Sequence, residues 1–196
     1  MSREAFVAAL TFLLAACGLV AGVAGLLQAA AVASLAFIYC QARMLQAAKG
    51  IVTWREPAVI PFMVLTGLTE GGGLLLIVGG LQALAPQWLP YAVVLGISLR
   101  ALSWMHYRGR VAAVAAPLGA RTELARMNSL VLIAGHLVPL LLIVAALAFP
   151  PAAILLKPVG GALVVAAGWF VKTRIVLSAS YQQGYGFGRL RRGVPI

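Results

Sequence analysis

Acidic residues are scarce in this chain: four glutamates and no aspartate stand against 15 lysines and arginines in 196 residues. Charges of both signs make up 10% of the sequence, whereas soluble domains carry about 25%. Mean hydropathy is +1.02, so water is not the main solvent of this chain. The two cysteines, Cys17 and Cys40, both fall in apolar stretches, where a thiol behaves as a small hydrophobe rather than as part of a disulfide frame or metal cluster. A P-loop, a dinucleotide fingerprint, a paired-cysteine motif and a nucleophile-with-base pattern are all missing. No secretory leader is expected, because Met1–Glu4 runs straight into 38 uncharged residues from 5 to 42, far beyond the roughly 7–15 residues of a signal core.

What is present is a series of long apolar runs punctuated by arginines. A crossing helix needs about 20 apolar residues, so residues 5–42 suit two crossings with a reversal near Gly22–Gly25, where glycine tolerates the turn. The expected fold is an all-α integral membrane bundle of about six transmembrane helices, near 5–20, 26–42, 59–81, 91–105, 128–149 and 159–177. A polar tail covers 178–196. His106 to Arg126 reads as an interfacial or loop segment, and Pro150-Pro151 as a break.

Six crossings put both termini and the second and fourth connections on one side. That side receives 14 of the 15 basic residues, among them Arg3, Arg43, Lys49, Arg55, Arg100, Arg108, Arg110, Arg121, Arg126, Lys172, Arg174 and Arg189, and only Lys157 falls opposite. The positive-inside rule makes that face cytoplasmic, which implies a multi-pass protein of the cell's inner (plasma) membrane. The net charge of +11 lies in short clusters between apolar runs. A nucleic-acid binder instead spreads its charge over a solvated face, so the expected contacts are lipid headgroups and a partner protein, not nucleic acid.

Few residues carry chemistry. Glu70, in mid-helix and followed by three glycines, is either an intramembrane proton site or a protonated carboxyl hydrogen-bonded to a neighbouring helix. Glu4, beside Arg3 and Ser2, is either a first-turn capping charge or a proton-exchanging group at the membrane surface. His106 and His136 raise a two-histidine b-haem, but their spacing matches no ligand motif and no haem is expected. Trp54, Trp88, Trp104 and Trp169 map near interfaces, where indoles favour sitting. Trp54 stands apart within a polar cluster.

Ser2-Arg3-Glu4-Ala5 at a helix start, then Arg43, then Val52-Thr53-Trp54-Arg55-Glu56-Pro57, Pro61 and Leu65-Thr66-Gly67-Leu68, with Gln182-Gln183-Gly184-Tyr185-Gly186-Phe187 in the tail, resemble membrane-anchor subunits of the DMSO reductase type, in the polysulfide reductase-like superfamily. Anchors of phenylacetyl-CoA:acceptor oxidoreductases are the most similar among them. The resemblance implies a haem-free helical subunit that holds an iron–sulfur electron-transfer subunit and a molybdopterin catalytic subunit at the bilayer and exchanges electrons with quinone. It places the quinone site at Glu4, with Arg3, Arg43 and Trp54 beside it. Such anchors typically have two further helices upstream, supplying a quinone-site histidine, which this sequence does not contain. A small proton-coupled transporter using Glu70 and a haem-b cytochrome subunit are the rival readings.

Overall fold

The computed structural model describes residues 3–48, 50–82, 86–114 and 116–181. Ser2, Lys49 and the tail from Gln182, with its arginines and its Gln182–Phe187 motif, lie outside the described residues. Among those described there is no strand. Helices α1 (Arg3–Ala21) and α2 (Ala24–Ala47) are followed by a one-turn α3 (Val52–Arg55) and by α4 (Val59–Gln82) and α5 (Leu89–Ala113). Then α6 (Leu118–Leu132) continues through a π-turn, Ile133–Leu137, into α7 (Val138–Ala148). Finally α8 (Ala153–Thr173) runs through a second π-turn, Arg174–Ser178, into the short α9 (Ala179–Tyr181).

Five spans have the length and apolarity to cross a bilayer: α1, α2, most of α4, Leu118–Ala148 and Pro150–Ser178. They make this an all-α, multi-pass membrane bundle. The expected 91–105 crossing lies within a 25-residue helix, α5, that also carries Arg100, His106, Arg108 and Arg110 and is not among the five.

Contacts define the topology. Gly72 meets Val93, Gly96 meets Thr69, and Tyr107 donates to Thr53 O at 3.0 Å, so α4 and α5 are antiparallel. Trp104 Nε1 donates to Asn128 Oδ1 at 3.0 Å, and Gly135 faces Ala167, which sets α5 against α6 and α6–α7 against α8 in the same alternating sense. Where α4 and α8 cross, a Cβ on Gly73 would lie 2.8 Å from Gly161 O, so small residues let the two backbones touch. These four long elements form an up-and-down bundle. The hairpin α1–α2 reverses at Gly22, whose φ of +67° suits glycine, and it leans on the bundle where Ile38 meets Gly67.

Three sequence expectations need correction. The His106–Arg126 segment is helical over most of its length rather than a loop: α5 continues to Ala113 and α6 begins at Leu118, because Tyr107, Val111, Ala120 and Leu124 give both helices a buried stripe at helical spacing. Arg100 consequently lies at the middle of α5, buried, rather than at the membrane surface. Trp104 is not a belt residue but is fully buried beside Phe62 and Tyr107, with ring centroids 5.3 and 6.2 Å away. Trp88 and Trp169 are largely exposed, as the belt reading requires.

Candidate functional site

Two polar features stand out inside this mostly apolar bundle. The first is a groove of about 710 Å³ between α2, α4 and the end of α8, with α3 at its basic end. Its walls are mostly apolar, including Ile38, Leu45, Met63, Leu74 and Val176, while Gln41, Trp54, Glu70 and Lys172 supply the polar groups. Trp54 Nε1 donates to Ile175 O at 3.1 Å. That carbonyl belongs to the second π-turn, where the helical ladder is interrupted and a backbone oxygen becomes free to accept a side chain.

Glu70 sits halfway along α4, and Lys172 Nζ donates to its Oε2 at 2.5 Å. The other carboxylate oxygen, Oε1, is buried without a hydrogen-bond partner among the described residues. Gly168, one turn before Lys172, makes room for this carboxyl, since a Cβ there would collide with Glu70 Oε1. Gly168→Ala is therefore expected to push the carboxyl off its lysine and destabilise the bundle by about 1–3 kcal/mol, the usual cost of overpacking. Unfolding titrations with SDS in mixed micelles measure it. The cost should vanish in a Glu70→Ala background, and a cost that persists there would mean that the glycine serves backbone packing alone.

The second feature is Arg100. Its Nε donates to His136 Nε2 at 3.1 Å, its Nη1 to Thr69 Oγ1 and Val164 O at 3.3 Å each, and its Nη2 to Gly135 O at 2.5 Å. His136 Nδ1 in turn bonds Val131 O at 2.7 Å, which fixes the tautomer with hydrogen on Nδ1 and a lone pair on Nε2 facing the guanidinium. The first π-turn contributes both Gly135 O and the histidine. One cation thus ties α4, α5, the α6–α7 junction and α8 together at mid-bundle. The sequence signal was available: within its helix Arg100 stands with eleven uncharged residues before it and seven after it, and a lone charge inside such a run is a candidate buried ion.

The structure brings together Trp54 and Glu70 of the residues singled out by sequence, and adds Gln41 and Lys172, which sequence reasoning had not singled out as site residues. Arg43 is exposed on α2 and donates to Gln46 Oε1 at 2.5 Å. Arg3 is exposed, whereas Glu4 lies on the half-buried stripe of α1 (4, 7, 8, 11, 14, 15, 18) that packs on α2. Gly18 meets Leu26 and Leu27 in that hairpin, and this register carries Glu4 back to the C-terminal part of α2, near Cys40 and Gln41. None of Arg3, Glu4 and Arg43 lines the groove.

His106 is exposed on α5, while both ring nitrogens of His136 are engaged, so the two do not form a facing pair. Among the described residues no three His, Cys, Asp or Glu side chains converge. No known protein family, curated protein or solved structure matches this chain.

Proposed function

We propose that this chain is a membrane anchor of a molybdopterin/iron–sulfur oxidoreductase complex and that it exchanges electrons between the iron–sulfur partner and the quinone pool. The reading rests on the sequence resemblance, and one structural observation carries it furthest. The groove is amphiphile-sized, its walls are mostly apolar, and its polar groups converge at the Glu70–Lys172 pair. A quinone needs this combination: a hydrophobic slot for ring and tail, with a donor and an acceptor within reach of its oxygens. Glu70 lines the groove and the Lys172 side chain beside it is partly exposed, which leaves the pair within reach of such a ligand.

A quinone bound there supplies the two-electron, two-proton chemistry; the chain supplies position and protons. Lys172 Nζ can donate a hydrogen bond to a carbonyl oxygen while Glu70 holds or releases a proton beside it. Trp54, anchored through Ile175 O, fixes the basic end of the slot. The quinone site thus centres on Glu70, Lys172 and Trp54, with Glu4, Arg3 and Arg43 lying on the α1–α2 hairpin beside it. Iron–sulfur and molybdopterin chemistry belongs to partner subunits docking on the basic face, where the exposed Arg55 and Arg126 complement acidic surface. Anchors of phenylacetyl-CoA:acceptor oxidoreductases remain the most similar type, and their thioester substrate suits a cytoplasmic docking face.

The experiment is affinity purification of the chain from its native membranes, followed by labelling with a photoreactive quinone. A cysteine-rich iron–sulfur subunit should co-purify, and the label should map to the α3–α4 segment containing Trp54 and Met63. Recovery of a lone oligomer that moves solute in proteoliposomes would instead establish the transporter reading, in which Glu70 is the coupling carboxyl.

A further inference from the structure

A second groove, of about 700 Å³, runs along the basic half of the bundle between the end of α5 and the start of α6. Arg108 and Arg121 stand in its walls, and Met105, Leu124 and Leu132 line its deeper part, with Asn128 between. Space exists because Gly109 and Ala125 present almost no side chain on the facing surfaces, and a Cβ on Gly109 would meet nothing. Leu132 is eleven residues beyond Arg121 on the helix, a drop of about 16 Å at 1.5 Å per residue. The groove is therefore graded, cationic at the membrane face and hydrocarbon-like below.

Its charge is uncompensated. The chain has four glutamates, of which three are engaged: Glu56 by Arg110, Glu70 by Lys172 and Glu123 by Arg174. The fourth, Glu4, sits on the α1–α2 hairpin, which does not line this groove. Among the described residues no side-chain carboxylate is thus left for Arg108 or Arg121. An arginine fork matches the oxygens of a phosphate, and basic pockets between membrane helices are where anionic headgroups bind.

We infer that this groove is a binding site for an anionic diacyl phospholipid, whose phosphate lies between Arg108 and Arg121 and whose acyl chain follows Met105 and Leu132 toward the bilayer centre. The charge gradient along the groove selects an amphiphile over an acidic protein loop, which would leave the lower, apolar half unfilled. The site is separate from the Glu70 groove and stands whether or not that groove takes a quinone.

Native mass spectrometry of the purified chain, offered equal phosphatidylglycerol and phosphatidylcholine in detergent, tests this. The wild type should retain phosphatidylglycerol preferentially, and Arg108→Gln/Arg121→Gln should lower that retention at least five-fold. Arg108→Lys/Arg121→Lys should keep most of it, and the charge-matched Arg43→Gln/Arg55→Gln should leave it unchanged. Equal retention of the two lipids, or an equal loss in the Arg43/Arg55 variant, would overturn the site in favour of diffuse attraction. Displacement of the lipid by millimolar inorganic phosphate would overturn it too, since the groove would then be an anion site with no use for the chain.

Discussion

Arg100→Met is expected to destabilise the bundle by about 3 kcal/mol, read as a lower SDS fraction at the unfolding midpoint in mixed micelles. Two effects oppose one another. Removing a buried cation relieves its desolvation, and in soluble proteins that relief often equals or exceeds the value of the lost contacts. In a bilayer the reference state differs, because separated helices are still in lipid and an arginine at the middle of one costs about 2.5–3.5 kcal/mol even on insertion scales. Folding therefore moves Arg100 from an unsheltered position to one with four acceptors, and the bundle gains where a soluble protein would not. Interhelical hydrogen bonds in membranes average about 0.6 kcal/mol, so four of them give roughly 2.4 before charge strengthens them. Methionine preserves most of the volume, which keeps cavity formation out of the measurement. His136→Leu should cost less, since three acceptors remain. An unchanged midpoint for Arg100→Met would mean that the network is held for something other than stability.

The same arginine marks where sequence reading stopped. Helix positions were legible wherever apolar runs were long: the hairpin turn at Gly22, the start of α4 at Val59 and the break at Pro150 all follow from run length and from glycine and proline chemistry. Errors gathered where charge is mixed with small apolar residues. Between His106 and Arg126 the charges lie off the buried stripe, so overall polarity reads as loop while the stripe itself, through Tyr107, Val111, Ala120 and Leu124, reads as helix. Helix extension alone shifted Arg100 from surface to interior. Counting charges by side cannot detect this, because an arginine at mid-depth counts equally well for either end.

Of the candidate site, Glu70 was legible because a carboxyl in an apolar run is conspicuous, and Trp54 because of its polar neighbourhood. Lys172 was hidden. On α8 it looks like one more cation near the basic end, and only antiparallel packing of α8 on α4, with Gly168 opposite Glu70, turns its side chain inward. Arg3, Glu4 and Arg43 were placed at the quinone site by motif resemblance, which fixes order along the chain but not which face of its helix a residue presents.

The second large effect separates structure from function at the Glu70–Lys172 pair. Lys172→Met leaves a half-membrane-depth carboxyl with neither oxygen bonded and should cost about 2 kcal/mol, below the 3–5 of a fully buried pair because the lysine side chain is 35% exposed. Glu70→Gln should cost less, since an unpaired lysine can extend its long stem back toward the basic face. Removing both charges, in Glu70→Gln/Lys172→Met, should return stability close to the wild type, because no unpaired ion remains. Binding should not follow the same course. A quinone analogue titrated against each variant should bind at least ten-fold more weakly in both single variants, and it should stay weak in the double variant, where neither the proton holder nor the ammonium donor is left. Stability that recovers while affinity does not is the signature of a pair held for its ligand. If affinity instead returns along with stability, the pair is a structural clamp between α4 and α8, and the ligand's polar contacts lie elsewhere in the groove, with Gln41 and Trp54 the remaining polar groups that line it.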